Sequence, residues 1–333
     1  MKTRIAIGVS LIAVALVTAN LFASHAQQAA GEQPIGNGAP PLSNPLKVAL
    51  LKWYKANTVP TEFAVGALPI GVAFDGANIW VASGSGVTEL RASDGQLLGT
   101  FATGSGPGGV TYDGANMWVS NSGESTVSKV RASDGKVLGK FTVPGVVAWW
   151  MTFDGANIWV PTSSKTGNGS VTKLRASDGA NLGSFTVGNS PAALAFDGEN
   201  VWVTNLGSNN VSKLRASDGT VLGTFAVGGQ PFGIAFDGAD MWVVNQGDGT
   251  VSKLRASDGT VLGTFTVGGS PYGVAFDGAN VWVTGMPELF ELRASDGRAI
   301  GHWHNPGTNA TGVAFDGANI WVAGYNNNKI GKL

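Results

Sequence analysis

Residues 231–270 read PFGIAFDGADMWVVNQGDGTVSKLRASDGTVLGTFTVGGS, and this stretch decides the fold. Four short runs of apolar or β-branched residues stand in it, at 233–236, 241–244, 250–254 and 261–267. Turn clusters separate them: Asp237-Gly238-Ala239-Asp240, then 245–249, then Ser257-Asp258-Gly259, then Gly268-Gly269-Ser270-Pro271. Asp-Gly connections between runs this short predict tight antiparallel hairpins, because Gly readily supplies the positive φ that such turns need. No amphipathic helical pattern of ten residues separates the runs, which excludes helical crossovers between parallel strands. Four antiparallel strands in about 40 residues describe one blade of a propeller.

The same sentence is written seven times. Its phrase Phe-Asp-Gly-x-Asn/Asp-x-Trp-Val places Asp75, Asp113, Asp154, Asp197, Asp237, Asp277 and Asp316 at intervals of 38–43 residues. Units of this kind cannot bury their apolar faces alone and must stack on neighbours. The chain ends complete the count. The last repeat supplies three runs and stops, whereas residues 58–65 match the fourth run of the other repeats (Thr61-Glu62-Phe63-Ala64-Val65-Gly66 against Gly263-Thr264-Phe265-Thr266-Val267-Gly268). The expected fold is all-β: a seven-bladed propeller of four-stranded antiparallel blades, its ring closed by an N-terminal strand that completes the last blade and covers an open edge.

Each repeat sets a Trp at one point of its second strand: Trp80, Trp118, Trp159, Trp202, Trp242, Trp282 and Trp321. These are expected to pack between blades, each contributing a gross ~4–6 kcal/mol of apolar burial. The aromatic residue before each Asp-Gly should join the same layer. Arg91, Arg131, Arg175, Arg215, Arg255 and Arg293 each precede the Asp of an Ala-Ser-Asp-Gly turn by three residues. They are expected to meet Asp side chains on one face of the ring, while those Asp cap turns through their own backbone.

The first 26 residues read as a cleaved export signal. Lys2 and Arg4 precede an apolar stretch over 5–22, and Ser24-His25-Ala26 offers a small-x-small cleavage site. Residues 27–45, rich in Gly, Pro, Ala and Gln, read as a flexible leader. The propeller domain takes 46–333, with a short helical pattern at 46–54. The expected location is secreted or periplasmic. There is no Cys, so a core of this size, burying roughly three quarters of its unfolded surface, must supply the stability that disulfides would give. With 21 basic and 22 acidic residues and no basic run, nucleic acid and anionic membranes are poor partners.

Val201-Trp202-Val203-Thr204-Asn205 followed by Asn210-Val211-Ser212-Lys213-Leu214 resembles the YVTN-type repeat, with Trp in the Tyr place. The surrounding units are similar to the broader NHL-like seven-bladed propellers, which include the streptogramin (virginiamycin B) lyases. The resemblance covers about residues 58–333. It implies a binding scaffold in most members and an enzyme in a few. For the lyases it implies a His general base and acidic residues holding a metal. This sequence departs from that pattern, because its His residues outside 1–26 are His302 and His304, on the expected outer strand of the sixth blade.

Chemistry at the axis would need convergent Asp, Glu, His or Asn on the innermost strands. Those strands read GVAF, GVTY, WMTF, ALAF, GIAF, GVAF and GVAF, without an ionisable side chain ahead of the turn. Variation between repeats is more informative. Just before the inner strand the chain carries Ile70, Gly108, Trp149, Ala192, Phe232, Tyr272 and Thr311, and blade three adds Trp150 and an extra residue. Met286-Pro287-Glu288 interrupts blade six, and Tyr325 with three Asn decorates blade seven. Ile70, Trp149, Trp150, Phe232, Tyr272 and Tyr325 are therefore the candidate binding residues, as a rim at the channel mouth, a plug within it, or both.

The function expected from these readings is an exported, monomeric, non-catalytic scaffold that engages a protein, peptide or glycan through its variable loop face, without cofactor or metal. The alternatives are a metal-assisted lyase or hydrolase acting at the same face, and a cell-surface structural repeat protein.

Overall fold

The computed structural model describes residues 61–84, 86–164, 167–304 and 309–333. Internal contacts divide the chain into 1–54 and 55–333, and every described residue belongs to the second unit. The expected signal, leader and 46–54 helix lie outside the described residues.

Seven antiparallel sheets make seven blades, as the repeats require. In blade five the strands are Pro231–Phe236, Asp240–Asn245, Thr250–Arg255 and Val261–Thr266, within two residues of the runs read from the sequence. Blade seven is assembled from both chain ends, in the order Thr61–Ala64, Lys329–Lys332, Ile320–Gly324, Ala310–Phe315. Phe63 stands opposite Ile330 in that closing pair.

The Asp and Trp of the repeated phrase prove to be one device. In every blade the indole N–H donates to Oδ2 of the Asp five residues earlier, at 2.7–2.8 Å. Oδ1 of the same Asp accepts two backbone N–H groups of the turn, as Asp197 does from Glu199 and Asn200. The spacing thus lets a large ring be buried with its polar atom satisfied, the condition for burying Trp at little cost. Burial opposes ionisation of Asp113, yet the donors Trp118, Ala115 and Asn116 together hold its carboxyl below the ordinary range. The six Arg also meet Asp as expected, each the Asp of its own turn, at 2.9–3.1 Å. These pairs are half exposed and screened by solvent, so they add little to stability. The stronger role of those Asp is to cap the turn: the backbone N–H of Thr260 is the first cause of Asp258 falling to about 2.

Neighbouring blades are joined by a stack that the sequence alone does not announce. The fourth-strand Phe lies on the Trp of its own blade, with ring centroids 5.4–5.7 Å apart in six blades. Its edge then rests on the Gly of the next blade's Ala-Ser-Asp-Gly turn. A Cβ on Gly135, whose φ is +69°, would fall 1.8 Å from Phe101. Only Gly fits there, sterically and conformationally.

A lysine closes the same seam. The residue opposite Trp on the third strand is Lys129, Lys173, Lys213, Lys253 or Lys332 in five blades. Each ammonium lies 5.0–5.2 Å from its Trp ring centroid. It also donates at 2.6–2.7 Å to the Ala carbonyl of the next blade's turn. Blades six and one carry Glu291 and Glu89 at this place. For blade six the reason is plain: in blade seven no Ala-Ser-Asp-Gly turn joins Lys329–Lys332 to Thr61–Ala64, and Trp303 and Leu333 pack against the Trp282 cluster there.

Blade one has no such excuse, and Glu89 is only 7% exposed. Burial first, then the charge of Asp75, raises its carboxyl to about 7 against the opposing hydrogen bond from Asn78. A raised acid stabilises the fold while protonated, so this contribution is complete below the ordinary Glu value and is lost as pH rises through about 7. Glu89→Gln is expected to flatten the fall in melting temperature between about pH 5 and 8. An unchanged pH profile in the variant would contradict this assignment.

Candidate functional site

The site lies where the inner strands approach one another. Gly71, Gly109, Gly233, Gly273 and Gly312 occupy one position of these strands, and a Cβ on any of them would fall 1.7–2.5 Å from a carbonyl oxygen of the next blade. The ring is therefore closed too tightly at this level for side chains. Blade four has Ala193 at the position, and blade three has Trp150.

The extra residue of blade three makes room for that Trp. Its inner strand breaks into Val146–Val147 and Thr152–Phe153, which pair with the two ends of Asn157–Ser163, while Ala148 N–H still donates to the Pro161 carbonyl of that strand at 2.8 Å. The inner segment shifts toward blade four instead: Trp150 N–H donates to the Ala192 carbonyl at 3.3 Å, and Trp150 bridges Ala193. Such a bulge re-aims the side chains on it.

Four of the six candidate residues form one aromatic cluster. Phe232 and Tyr272 stack at 4.1 Å, and Trp150 meets both edge-on at 5.2 Å. Trp149 stands 6.4 Å from Phe232. Phe232 is buried, Trp150 half-buried and Trp149 exposed. Trp150 packs on Phe232 and walls a cavity of about 130 Å³ together with Leu194, Ile234, Val274 and Val313 and the backbone of Gly233 and Gly273.

The other candidates face outward. Ile70, Trp149, Tyr272 and Tyr325 line a cavity of about 270 Å³ with Gln246, Ser270, Met286, Asn309, Ala310 and Thr311. Tyr272 and Trp149 belong to both groups, meeting Phe232 and lining this cavity. Hydroxyls fix the rim backbone: Ser120 donates to the Trp149 carbonyl at 3.0 Å, Thr204 to that of Phe232 at 2.7 Å, and Thr284 to that of Thr311 at 2.8 Å. Burial, then the neighbouring Tyr325, raises the Tyr272 phenol above its ordinary range, so it stays neutral and can donate a hydrogen bond.

Gln246, Ser270 and Asn309 escaped sequence reasoning. Gln246 and Ser270 sit in loops of repeating length, where only the residue identity differs between blades, and Asn309 sits in a loop one residue longer than its counterparts. A second, larger groove of about 710 Å³ opens on the same face between blades two and three, among Ser125, Thr162, Ser163, Asn168, Ser170 and Thr186. Among the described residues, no charged side chain lines either cavity. His302 and His304 are exposed on the outer strand Ala299–His304 of blade six. No group of three His, Cys, Asp or Glu that could hold a metal is present among the described residues. Among the same residues no helix is long and apolar enough to cross a membrane.

No family model and no curated protein matches the sequence. Among solved structures the chain is similar to hydrazine synthase of Kuenenia stuttgartiensis, at 18% identity and TM-score 0.69, over 80% of this chain and 95% of that one. It is also similar to a streptogramin B lyase structure, at 17% identity and TM-score 0.69, over 82% of this chain and 96% of that one. At such identities the likeness is one of fold, and it agrees with a seven-bladed ring.

Proposed function

We propose that this chain is an exported, non-catalytic binding propeller whose variable face takes a neutral glycan. The observation that carries the reading is the mouth cavity: Trp149, Tyr272 and Tyr325 stand beside the amides of Gln246 and Asn309 and the hydroxyls of Ser270 and Thr311, with no charge. Sugar rings offer apolar C–H faces to aromatic side chains and hydroxyls to amides, and they need no counter-charge. Charged peptides would leave ionic groups unpaired against such a wall. The adjacent groove, walled by hydroxyls and an amide, supplies further subsites for an extended chain. Export rests on the pattern of residues 1–26, and a scaffold role on an ionisable inventory in the cavity limited to two Tyr.

Calorimetry and a neutral-oligosaccharide array test it. Trp149→Ala is expected to weaken binding at least about tenfold, as loss of an aromatic anchor does. Because Trp149 is exposed, the melting temperature should shift by no more than about 2 °C. Binding of charged peptides but of no neutral glycan would overturn the reading.

A further inference from the structure

At five seams the fold builds a receptor for a single positive charge. Its parts are the indole face of one blade and the Ala carbonyl of the next blade's turn, joined at four seams by the Ser carbonyl and at the fifth by Asp240 beside Lys253; Lys213, for example, donates to Ala256 O at 2.7 Å and Ser257 O at 3.2 Å. At the seam from blade one to blade two the turn is present at Ala132-Ser133-Asp134-Gly135, and Trp80 is in place. Phe101 stacks on Trp80 and rests on Gly135 as elsewhere. What differs is the charge that the chain supplies, a carboxylate on Glu89 instead of an ammonium.

Two independent observations mark the consequence. Ala92, Ala176, Ala216, Ala256 and Ala294, the carbonyl-bearing residues under a lysine stem, are each 8% exposed, whereas Ala132 is more open. Glu89 is 7% exposed and receives a hydrogen bond on Oε1, from Asn78 at 2.8 Å. Asp75, the acid nearest to it, is engaged by Ala77, Asn78 and Trp80. A buried carboxylate therefore occupies, opposite Trp80, the register position from which five other seams present an ammonium to the next blade's turn.

We propose that this seam binds a free monovalent cation of potassium or ammonium size, which takes the place that the lysine ammonium takes elsewhere. One carboxylate balances one positive charge. The indole face favours a weakly hydrated ion. A divalent ion is disfavoured, since calcium takes six to eight oxygen ligands and magnesium a full octahedron. Bound cation ties blade one to blade two, so its effect is read as stability of the whole ring. Occupancy rises with pH as Glu89 ionises, because proton and cation compete for one carboxylate.

The test compares melting temperatures of the full chain at pH 8 in equal concentrations of potassium, ammonium and choline chloride. Choline is far bulkier than potassium or ammonium, has no N–H to donate to the turn carbonyls, and holds ionic strength constant. Potassium and ammonium are each expected to raise the melting temperature over choline by about 2 °C or more, the scale expected for a ligand well above its Kd. Glu89→Lys places the tethered ammonium and is expected to raise the melting temperature in choline and remove the salt-specific difference. Should that variant fold poorly, Lys213→Glu supplies the converse, expected to create a second cation-dependent seam and enlarge the difference. Equal melting temperatures of the natural chain in all three salts would overturn the proposal. So would an equal shift from millimolar calcium, or a difference that persists undiminished in a folded Glu89→Lys protein.

Discussion

Trp150→Gly is expected to destabilise the protein by about 3–5 kcal/mol, although Gly is what most other inner strands carry at this position. In those strands Gly is required because the next blade's carbonyl stands within 1.7–2.5 Å of where a Cβ would lie. Blade three has an extra residue and a broken inner strand, so its backbone does not close in to replace a removed indole. The substitution deletes a ring that meets Phe232 and Tyr272 at 5.2 Å and walls the 130 Å³ cavity. Lost transfer energy and a residual cavity then add. Denaturant unfolding measures the loss. Free indole should partly restore the melting temperature of the variant and leave the natural protein unaffected, since an apolar cavity accepts an apolar guest. A cost below about 1 kcal/mol, with no response to indole, would mean that Trp150 belongs to the rim and not to the plug.

What the sequence made legible follows from which constraints are local. The strands of blade five come within two residues because Asp-Gly turns and β-branched runs act over short range. The closing strand was legible because a repeat cut at both ends leaves matching fragments, Thr61–Ala64 and Lys329–Lys332. The Asp-to-Trp hydrogen bond could have been inferred from the fixed five-residue spacing. Seam chemistry was hidden for another reason: Lys213 reaches carbonyls 43 residues away in the next blade, and no local pattern announces such a partner. Its signal was the exchange of Lys for Glu in Val87-Thr88-Glu89-Leu90-Arg91 against Val211-Ser212-Lys213-Leu214-Arg215. The division of labour between Trp149 and Trp150 was hidden too. Alternation places neighbours on opposite faces of a strand, but a bulge decides which of them meets the axis.

Phe63→Asp is expected to open the ring, an effect different in kind from the same change in an interior blade. Phe63 stacks on Trp321 at 5.6 Å, and a Cβ on Gly95 would lie 2.0 Å from its ring, so it joins the closing strand to blade seven and to the turn of blade one. Asp there sets an unpaired carboxylate against an indole face, at a cost of several kcal/mol. The Lys329–Glu62 pair is half exposed and offsets about 1 kcal/mol at most. Phe185→Asp in blade four makes the same local insult, since Phe185 stacks on Trp159 at 5.6 Å. Its strand, Asn181–Asn189, is however continued into neighbouring strands at both ends, so detaching it requires disrupting the blade. The closing strand is short and enters blade seven without a hairpin of its own, so it can leave while the other six blades stay folded. Departure bares the edge of Lys329–Lys332, and an open edge pairs with other chains. Phe63→Asp should therefore give concentration-dependent oligomers in light scattering and protease cleavage confined to residues 61–66, at temperatures where the β-sheet circular dichroism persists. Phe185→Asp should instead lower the cooperative melting temperature without selective cleavage at 61–66. Identical behaviour of the two variants would show that closure by the N-terminal strand contributes no more than an ordinary seam.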